Sequence, residues 1–339
     1  MNSEVNSNAL LDVKSLKKYF PIQTGLFKRT SGYVRAVDNV SLSIEEGETL
    51  GLVGESGCGK TTFGRCVLRA IEPTEGEVNF RRGDNTVVDI TKLDKVELKE
   101  LRKEVQMIFQ DPYSSLDPRM TVLNIVGEPI RSNRIASGKA LEDRVKELMS
   151  VVGLEVKHLR RYPHAFSGGQ RQRIGIARAL AANPKLIVAD EPVSALDVSV
   201  QAQILNLLQD LQAEYNLTFL FVAHDLSVIE HISDRVAVMY VGKIVEMADT
   251  KELFSSPKHP YTEALLSAAP QPDPEQKMNR IILPGEVANP ANPPSGCYFH
   301  PRCLYCKDIC RQKTPVWEGI TPGHFAACHF SKELELRGD

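Results

Sequence analysis

The stretch GESGCGKT, residues 54–61, follows the apolar run TLGLV and constrains the fold more than any other part of the sequence. It matches G-x-x-x-x-G-K-[ST], in which glycines let backbone N–H groups wrap phosphates at the start of a helix. The Lys60 ammonium would meet the β and γ phosphates, and the Thr61 hydroxyl would ligate Mg²⁺. A plain glycine-rich turn is the alternative, but the flanking strand and helix patterns favour a phosphate loop.

A second apolar run, LIVAD (186–190), ends in Asp190 and is followed by Glu191. Parallel sheets bind ligands at the carboxyl ends of their strands, so Asp190 is placed to hold the Mg²⁺ shell. Glu191 could then act as general base or orient an attacking water. A solvated strand end that caps the next helix is the other interpretation, and the phosphate loop argues against it.

Apolar periodicity predicts α/β architecture. The runs LIVAD and TFLFVAH (218–224) read as buried parallel strands joined by a helix. RVAVMYVGKIVEM (235–247) reads as a hairpin that turns at Val241 and Gly242. The apolar face of the joining helix is expected to consist of Ile204, Leu207, Leu208 and Leu211.

Proline usage divides the chain. Eight of the 20 prolines precede residue 257 and twelve lie at or beyond it. We therefore expect a packed domain over residues 11–256 and a loop-rich C-terminal extension over residues 257–339, with the boundary near Pro257–Pro274.

Composition narrows the class of protein. The net charge of −2 gives no reason to expect nucleic acid as a partner, and no apolar run approaches the roughly 18 residues of a membrane span. The N-terminus lacks a signal-peptide pattern, so a soluble intracellular protein is expected.

In a reducing compartment, a cysteine cluster favours a metal or redox site. Five of the seven cysteines form such a cluster: Cys297, Cys303, Cys306, Cys310 and Cys328.

The stretch FSGGQRQR (166–173) predicts a second anion-binding helix start. Ser167 can cap a helix whose first residues, Gly168 and Gly169, expose backbone donors. Because two such starts in one subunit cannot usually close on the same nucleotide, the pattern indicates two subunits arranged head to tail.

Together these motifs resemble the ATP-binding subunits of ABC transporters over residues 11 to about 255. The ordered set also includes Gln110 in IFQDP, SALD (194–197) and His224 in VAHD. The resemblance implies an α/β P-loop NTPase of the ABC type, with a RecA-like core, an antiparallel β subdomain and an α-helical subdomain at about residues 111–182.

The resemblance also implies roles for single residues. Gln110 would sense the γ-phosphate and Mg²⁺, His224 would hold the attacking water or Glu191, and Tyr19 would stack on adenine. The Mg²⁺ ligands would be Thr61, Gln110 and Asp190. Since Glu191 and His224 are both present, the site is expected to hydrolyse ATP, and Phe166, where leucine is commonest, leaves the phosphate-binding atoms unchanged. The implied nucleotide contacts are Tyr19, Gly54, Glu55, Ser56, Gly57, Cys58, Gly59, Lys60, Thr61, Thr62, Ser167, Gly168, Gly169, Gln170 and Asp197.

A finer resemblance is to the F-type subunit of oligopeptide and dipeptide importers. It implies a second ATP-binding subunit (identical or a D-type paralogue), two membrane permeases and, indirectly, an extracytoplasmic peptide-binding protein. The chain would lie at the cytoplasmic face of the membrane, with residues 111–149 forming the permease groove. Peptide, nickel, glutathione-like and sugar cargoes stay open. The resemblance rests on residues 15–27, 109–122, 189–212, 259–270 and 296–303.

For the cysteines, the family resemblance implies a [4Fe-4S] cluster on Cys297, Cys303, Cys310 and Cys328, which would staple a proline-rich tail. Four thiolates also suit Zn²⁺, and metal-free thiols or oxidised pairs stay open. Cys306 could replace a neighbour.

A soluble ABC-type ATPase acting in DNA repair or on ribosomes is the alternative class. Only 107 positions separate Lys60 from Ser167, without coiled-coil heptads, and the chain has one cassette. These features favour the transporter.

Overall fold

The computed structural model of the chain describes residues 9–25, 29–268 and 280–338. Its contacts divide it into two compact units. The first unit contains residues up to Leu11, 44–48 and 79–222, and the second contains residues 12–43, 49–78 and those from 223 onward. The ends of two stretches used for the family resemblance, residues 26–27 and 269–270, lie outside the described residues, as does part of the expected boundary near Pro257–Pro274.

Three strands of the first unit form a parallel group. They are β6 (Val105–Ile108), β7 (Leu186–Asp190) and β8 (Thr218–Val222), with β7 in the middle. The strands β7 and β8 are buried along their whole length, as expected for apolar runs covered on both faces. Helix α6 (Val198–Tyr215) joins them, which confirms the predicted strand–helix–strand unit.

The apolar face of α6 differs in part from the prediction. Ile204, Leu208 and Leu211 are buried as expected, but the fourth buried apolar residue is Leu205, and Leu207 is partly exposed. Helical spacing alone cannot decide between Leu205 and Leu207 as the edge of the face, because neighbouring elements determine how wide the buried stripe becomes and to which side it extends.

The remaining helices of the first unit precede the second motif. They are α2 (Lys95–Leu101), α3 (Val122–Ser132), α4 (Gly138–Val151) and α5 (Gly168–Leu180), with 3₁₀ turns at Val156–His158 and Pro163–Ala165. The helices α3, α4 and α5 pack on one another. They fall within the stretch expected to form the helical subdomain.

In the second unit, five strands lie in the order β11–β12–β10–β9–β3. Their bounds are β3 (Thr49–Val53), β9 (Arg235–Tyr240), β10 (Lys243–Asp249), β11 (Glu318–Thr321) and β12 (His324–Ala326). The antiparallel β9–β10 pair turns through Val241 and Gly242, both with positive φ, which confirms the predicted hairpin. Strand β12 of the extension pairs with β10 in antiparallel fashion, so the extension adds strands to this sheet.

The long strands β1 (Ala9–Thr24), β2 (Arg29–Glu45) and β4 (Glu75–Arg81) each have residues in both units. In the second unit β1 lies between β2 and β4. In the first unit β4 pairs antiparallel with β5 (Val87–Asp89), from Asn79 opposite Asp89 onward.

The helices of the second unit are short. They are α1 (Lys60–Val67), α7 (Leu226–Ile232), α8 (Thr250–Ser255), α9 (Pro260–Leu266) and α10 (Asp308–Gln312). An aromatic cluster joins the sheet to the extension: the Phe299 ring lies 5.3 Å from that of Tyr240 and 5.4 Å from that of Tyr261. None of the described helices is both long enough and apolar enough to cross a membrane.

Candidate functional site

The phosphate loop, residues 54–61, connects β3 to α1 in the second unit. The Lys60 side chain is buried, and its Nζ donates hydrogen bonds to the carbonyl oxygens of Gly54 at 2.6 Å and Glu55 at 3.2 Å. The loop therefore curls around the ammonium group, which leaves a cation at the start of a helix where the backbone dipole already favours an anion.

Two glycines of the loop have no room for a side chain. A Cβ on Gly54 would lie 2.1 Å from the carbonyl oxygen of Met239, and one on Gly59 would lie 2.0 Å from that of Ala36. Both residues also have positive φ, 152° and 112°. Glycine at these positions is therefore required by the fold of the loop itself.

The other loop residues take different surroundings. Ser56 and Gly57 are exposed, whereas Thr61 and Thr62 are partly buried in the first turn of α1. Cys58 is buried, and burial raises the pKa of its thiol, so it stays protonated.

The carboxylates of the second motif stand at the end of β7. Asp190 is buried at the last position of the strand, and Glu191 follows with a left-handed φ of 46°. The Nε2 of Gln110 donates to Oε2 of Glu191 at 2.8 Å, although the two residues are 81 positions apart. Adjacent parallel strands β6 and β7 bring them together, and the strained backbone at Glu191 is typical of functional sites.

The signature segment, residues 167–170, begins α5 in the first unit. Ser167 accepts from the backbone N–H of Gln170 at 3.3 Å, and the Gln170 side chain accepts from the N–H of Ser167 at 3.1 Å. This capping box confirms the predicted cap. Gly169 is buried against Val200, where a Cβ would lie 2.4 Å from Cγ1, while Ser167 and Gln170 are exposed.

Asp197 caps α6 rather than lying free on the surface. Its carboxylate accepts from the Ser199 hydroxyl at 2.8 Å and from the N–H of Val200 at 3.0 Å. These hydrogen bonds, that of Ser199 first, lower the pKa of Asp197.

Two predicted site residues of the second unit lie on separate elements. His224 is exposed just before α7, two residues after β8 ends. Tyr19 lies in β1, and its hydroxyl donates to Asp38 at 2.6 Å. Burial and this bond raise the pKa of Tyr19. The guanidinium of Arg35 lies 5.9 Å from the Tyr19 ring centroid.

The sequence did not reveal that the extension holds the phosphate loop. The Tyr261 hydroxyl accepts from the backbone N–H of Glu55 at 2.8 Å. Arg302 donates to both carboxylate oxygens of Glu55, at 2.7 and 3.1 Å. The only signal was that Tyr261 and Arg302 fall within HPYTEALLSAAP (259–270) and GCYFHPRC (296–303), two stretches chosen for family resemblance alone.

The cysteine quartet, Cys297, Cys303, Cys310 and Cys328, lines one cavity of about 20 Å³ in the extension. Cys306 is not among the lining residues. Burial first, with a smaller contribution from the nearby cysteines, raises the pKa of Cys297 to about 11, that of Cys303 to about 12 and that of Cys328 to about 11. All seven cysteines are free thiols. Within residues 9–25, 29–268 and 280–338, no three His, Cys, Asp or Glu side chains are arranged as ligands of a metal ion.

Two family models match the chain. The model described as "ABC transporter" matches residues 37–194, and "Oligopeptide/dipeptide transporter, C-terminal region" matches residues 245–310. The two matches cover the phosphate loop, the signature segment and the first part of the extension.

Individual relatives and solved structures agree with these models. The chain is 53% identical to the oligopeptide transport ATP-binding protein AppF of Bacillus subtilis, over 96% of this chain and 98% of that protein. It is 49% identical to the dipeptide transport ATP-binding protein DppF of Haemophilus influenzae, over 97% and 99%. A dimeric post-hydrolysis state of the ATP-binding cassette MJ0796, bound to ADP and Pi, superposes with a TM-score of 0.62 at 32% identity, over 71% of this chain and 98% of that one.

These relatives do not favour the alternative of an ATPase acting in DNA repair or on ribosomes. The ordered motifs, the loop around Lys60 and the full-length likeness lead to one assignment. The chain belongs to the ABC transporter ATP-binding proteins of the oligopeptide and dipeptide transport family.

Proposed function

We propose that this chain binds ATP with Mg²⁺ and hydrolyses it to drive the import of peptides through a membrane permease pair. The observation that carries the catalytic part is the Gln110–Glu191 hydrogen bond at the carboxyl ends of two adjacent parallel strands. Relatives named for oligopeptide and dipeptide transport support the peptide cargo.

The roles follow from the chemistry of the side chains. Lys60 neutralises the β and γ phosphates, while Thr61, Gln110 and Asp190 complete the Mg²⁺ shell. Glu191 activates or orients the attacking water, and His224 holds that water or Glu191 in place.

Adenine stacks on Tyr19, whose ring is fixed by the hydrogen bond to Asp38. The remaining residues of the loop supply backbone N–H groups to the phosphates.

A second ATP-binding subunit completes each site. Ser167 and Gln170 are exposed and Gly168 is partly exposed at the start of α5, which suits a nucleotide held by another subunit. Asp197 couples the two sites. That subunit is an identical chain or a D-type paralogue.

The catalytic proposal predicts a separation of binding from hydrolysis. In Glu191→Gln, turnover of ATP is expected to fall roughly 100-fold or more, because a general base is lost, while ATP binding is kept. Size-exclusion chromatography with ATP should show an accumulated dimer. Glu230→Gln, an exposed glutamate of α7, serves as the control. Wild-type turnover in Glu191→Gln would remove this residue from the mechanism.

The permease partners dock on the first unit at residues 111–149, at the cytoplasmic face of the membrane, and an extracytoplasmic peptide-binding protein supplies the cargo. Tyr113 and Ile135 of this stretch are 59% and 44% exposed, which suits an interface. Photocrosslinkers at these two positions should capture a permease in membranes. Crosslinks confined to the extension, or co-purification with ribosomes or DNA instead, would contradict the placement.

We also propose that the cysteine quartet holds a [4Fe-4S] cluster. The support for this proposal is that the four thiols line the same cavity and Cys306 does not, although in the described part of the chain they are not arranged as ligands of a metal ion. Burial raises the pKa of Cys297, Cys303 and Cys328, so forming their thiolates is unfavourable, and a bound metal would compensate it. When bound, the cluster supplies a covalent staple for a segment with little core.

Anaerobic purification with iron, sulfide and zinc analysis tests this proposal. A brown protein bleached by Cys297→Ser or Cys328→Ser, with the colour kept in Cys306→Ser, is expected. A colourless protein with one zinc per chain would replace the iron–sulfur assignment with zinc.

A further inference from the structure

Glu55 is the one acidic residue of the phosphate loop, and four groups hold it. Its N–H donates to the Tyr261 hydroxyl, its carbonyl accepts from the Lys60 ammonium and the Cys58 N–H, and its carboxylate accepts two hydrogen bonds from Arg302. Two of these four groups, Tyr261 and Arg302, come from the C-terminal extension. Every atom of Glu55 that can make a strong hydrogen bond is therefore engaged, and the extension fixes most of them.

The two hydrogen bonds of the Arg302–Glu55 pair hold both side chains in one orientation. Arg302 is 7% exposed, and both of its NH groups point at the carboxylate in the two-pronged geometry that suits guanidinium. Removing Glu55 leaves an uncompensated charge on the buried Arg302, and removing Arg302 leaves one on the Glu55 carboxylate, whose side chain is 28% exposed. The hydrogen bonds to Glu55 also raise the pKa of Arg302, so it stays charged.

A carboxylate in this loop would by itself oppose nucleotide binding. The backbone N–H groups of the loop and the Lys60 ammonium form a site that attracts an anion. An unneutralised Glu55 carboxylate would repel the phosphates of a nucleotide bound at this site. The Arg302 guanidinium neutralises the charge of the Glu55 carboxylate. Tyr261 at the same time holds the backbone of Glu55, next to the carbonyl that contacts Lys60.

We propose that Arg302 and Tyr261 of the C-terminal extension are positioning residues for nucleotide binding, with Arg302 neutralising Glu55 and holding the phosphate loop in its binding shape. The extension is then part of the nucleotide site of this chain. The inference rests on the proposed binding of ATP at the phosphate loop.

A double-mutant cycle on the full chain tests the inference. Calorimetry measures the dissociation constant of the ATP analogue AMP-PNP in the presence of Mg²⁺. The variants compared with wild type are Arg302→Met, Glu55→Gln and the double variant. Arg302→Met is expected to bind roughly 5- to 20-fold more weakly, because an uncancelled carboxylate faces the phosphates. The double variant should return to within about threefold of wild type, since no charge is left to cancel.

Three further measurements separate positioning from a general loss of structure. The defect of Arg302→Met should shrink as salt is raised, because screening weakens the repulsion. Arg302→Lys, which keeps the charge without the two-pronged contact, should fall between wild type and Arg302→Met. Tyr261→Phe should raise KM for ATP roughly two- to fivefold with kcat unchanged. Arg311→Met, an exposed arginine of the same extension, is the matched control and should bind as wild type does.

Two results would overturn the inference: wild-type affinity in Arg302→Met, or a double variant no tighter than Arg302→Met. These are distinct from failure of the proposed function, which would appear as a wild-type chain that does not bind AMP-PNP.

Discussion

The phosphate loop and the cysteine-bearing extension lie in the same compact unit but are held in shape by different means. Apart from the contacts of the extension to Glu55, the loop is shaped by its own backbone: a fully buried strand leads into it, a helix leads out, and at two glycines a Cβ would collide with carbonyl oxygens. The extension has a small apolar core. Over residues 257–268 and 280–338, its buried apolar side chains are Tyr261, Ala264, Leu266, Phe299, Cys310 and Ala326.

What the extension has instead is a set of buried polar contacts. His324 and Arg302 are both buried and both pair with carboxylates of earlier segments, Glu246 and Glu55. The contrast teaches that a local backbone motif can be recognised from a short sequence pattern, whereas a segment fastened by distant polar partners cannot.

The largest effect, on the affinity for ATP, is expected from a substitution in the phosphate loop. Lys60→Ala removes the buried ammonium that donates to the carbonyls of Gly54 and Glu55. Charge-assisted contacts to phosphate are also lost, so the affinity for ATP should fall roughly 100-fold or more by calorimetry. Lys332→Ala, an exposed lysine of the extension paired with Glu318, should leave affinity unchanged. Equal affinity in the Lys60 variant would place the phosphates elsewhere.

Much of the fold could be predicted because its signals are local. The strands β7 and β8, the helix between them and the hairpin at Val241 and Gly242 follow from apolar periodicity and turn chemistry over a few residues. The cap at Ser167 likewise depends on residues within one turn. For the same reason the phosphate loop was predicted with its flanking strand and helix.

What the sequence could not show depends on contacts far apart along the chain. Nothing local indicates that β12 pairs with β10, or that Arg302 meets Glu55 across 247 positions. The Gln110–Glu191 contact is similar, since it requires knowing that β6 and β7 are neighbours. The roles of these residues in catalysis stay predictions.

An intermediate effect, on the free energy of unfolding, is expected from the buried polar contacts between the extension and β10. Glu246 is fully buried in β10 and accepts hydrogen bonds from the N–H groups of Lys258 and His259 and from His324 Nε2. In Glu246→Ala these buried donors lose their acceptor, so the free energy of unfolding should fall by about 3 kcal/mol.

Urea denaturation followed by tryptophan fluorescence measures this change, because Trp317 is the one tryptophan of the chain and adjoins β11. Glu318→Ala, which removes an exposed carboxylate, should leave the midpoint unchanged. If Glu246→Ala unfolds at the wild-type midpoint, the extension is held by something other than its buried polar contacts.

The smallest expected effect compares one glycine in each region. Gly57 of the loop and Gly285 of the extension both have positive φ, 80° and 68°, and a Cβ on either would meet no atom within 4 Å. Alanine at either position should therefore lower the free energy of unfolding by about 1 kcal/mol, the cost of a left-handed backbone alone. Function should separate them: Gly57→Ala should also weaken AMP-PNP binding, since the loop backbone must wrap phosphate, while Gly285→Ala should bind normally. Equal affinities would show that Gly57 lies outside the phosphate contacts, whereas a much larger stability loss at Gly285 would show that the extension is as tightly fixed by its backbone as the loop is.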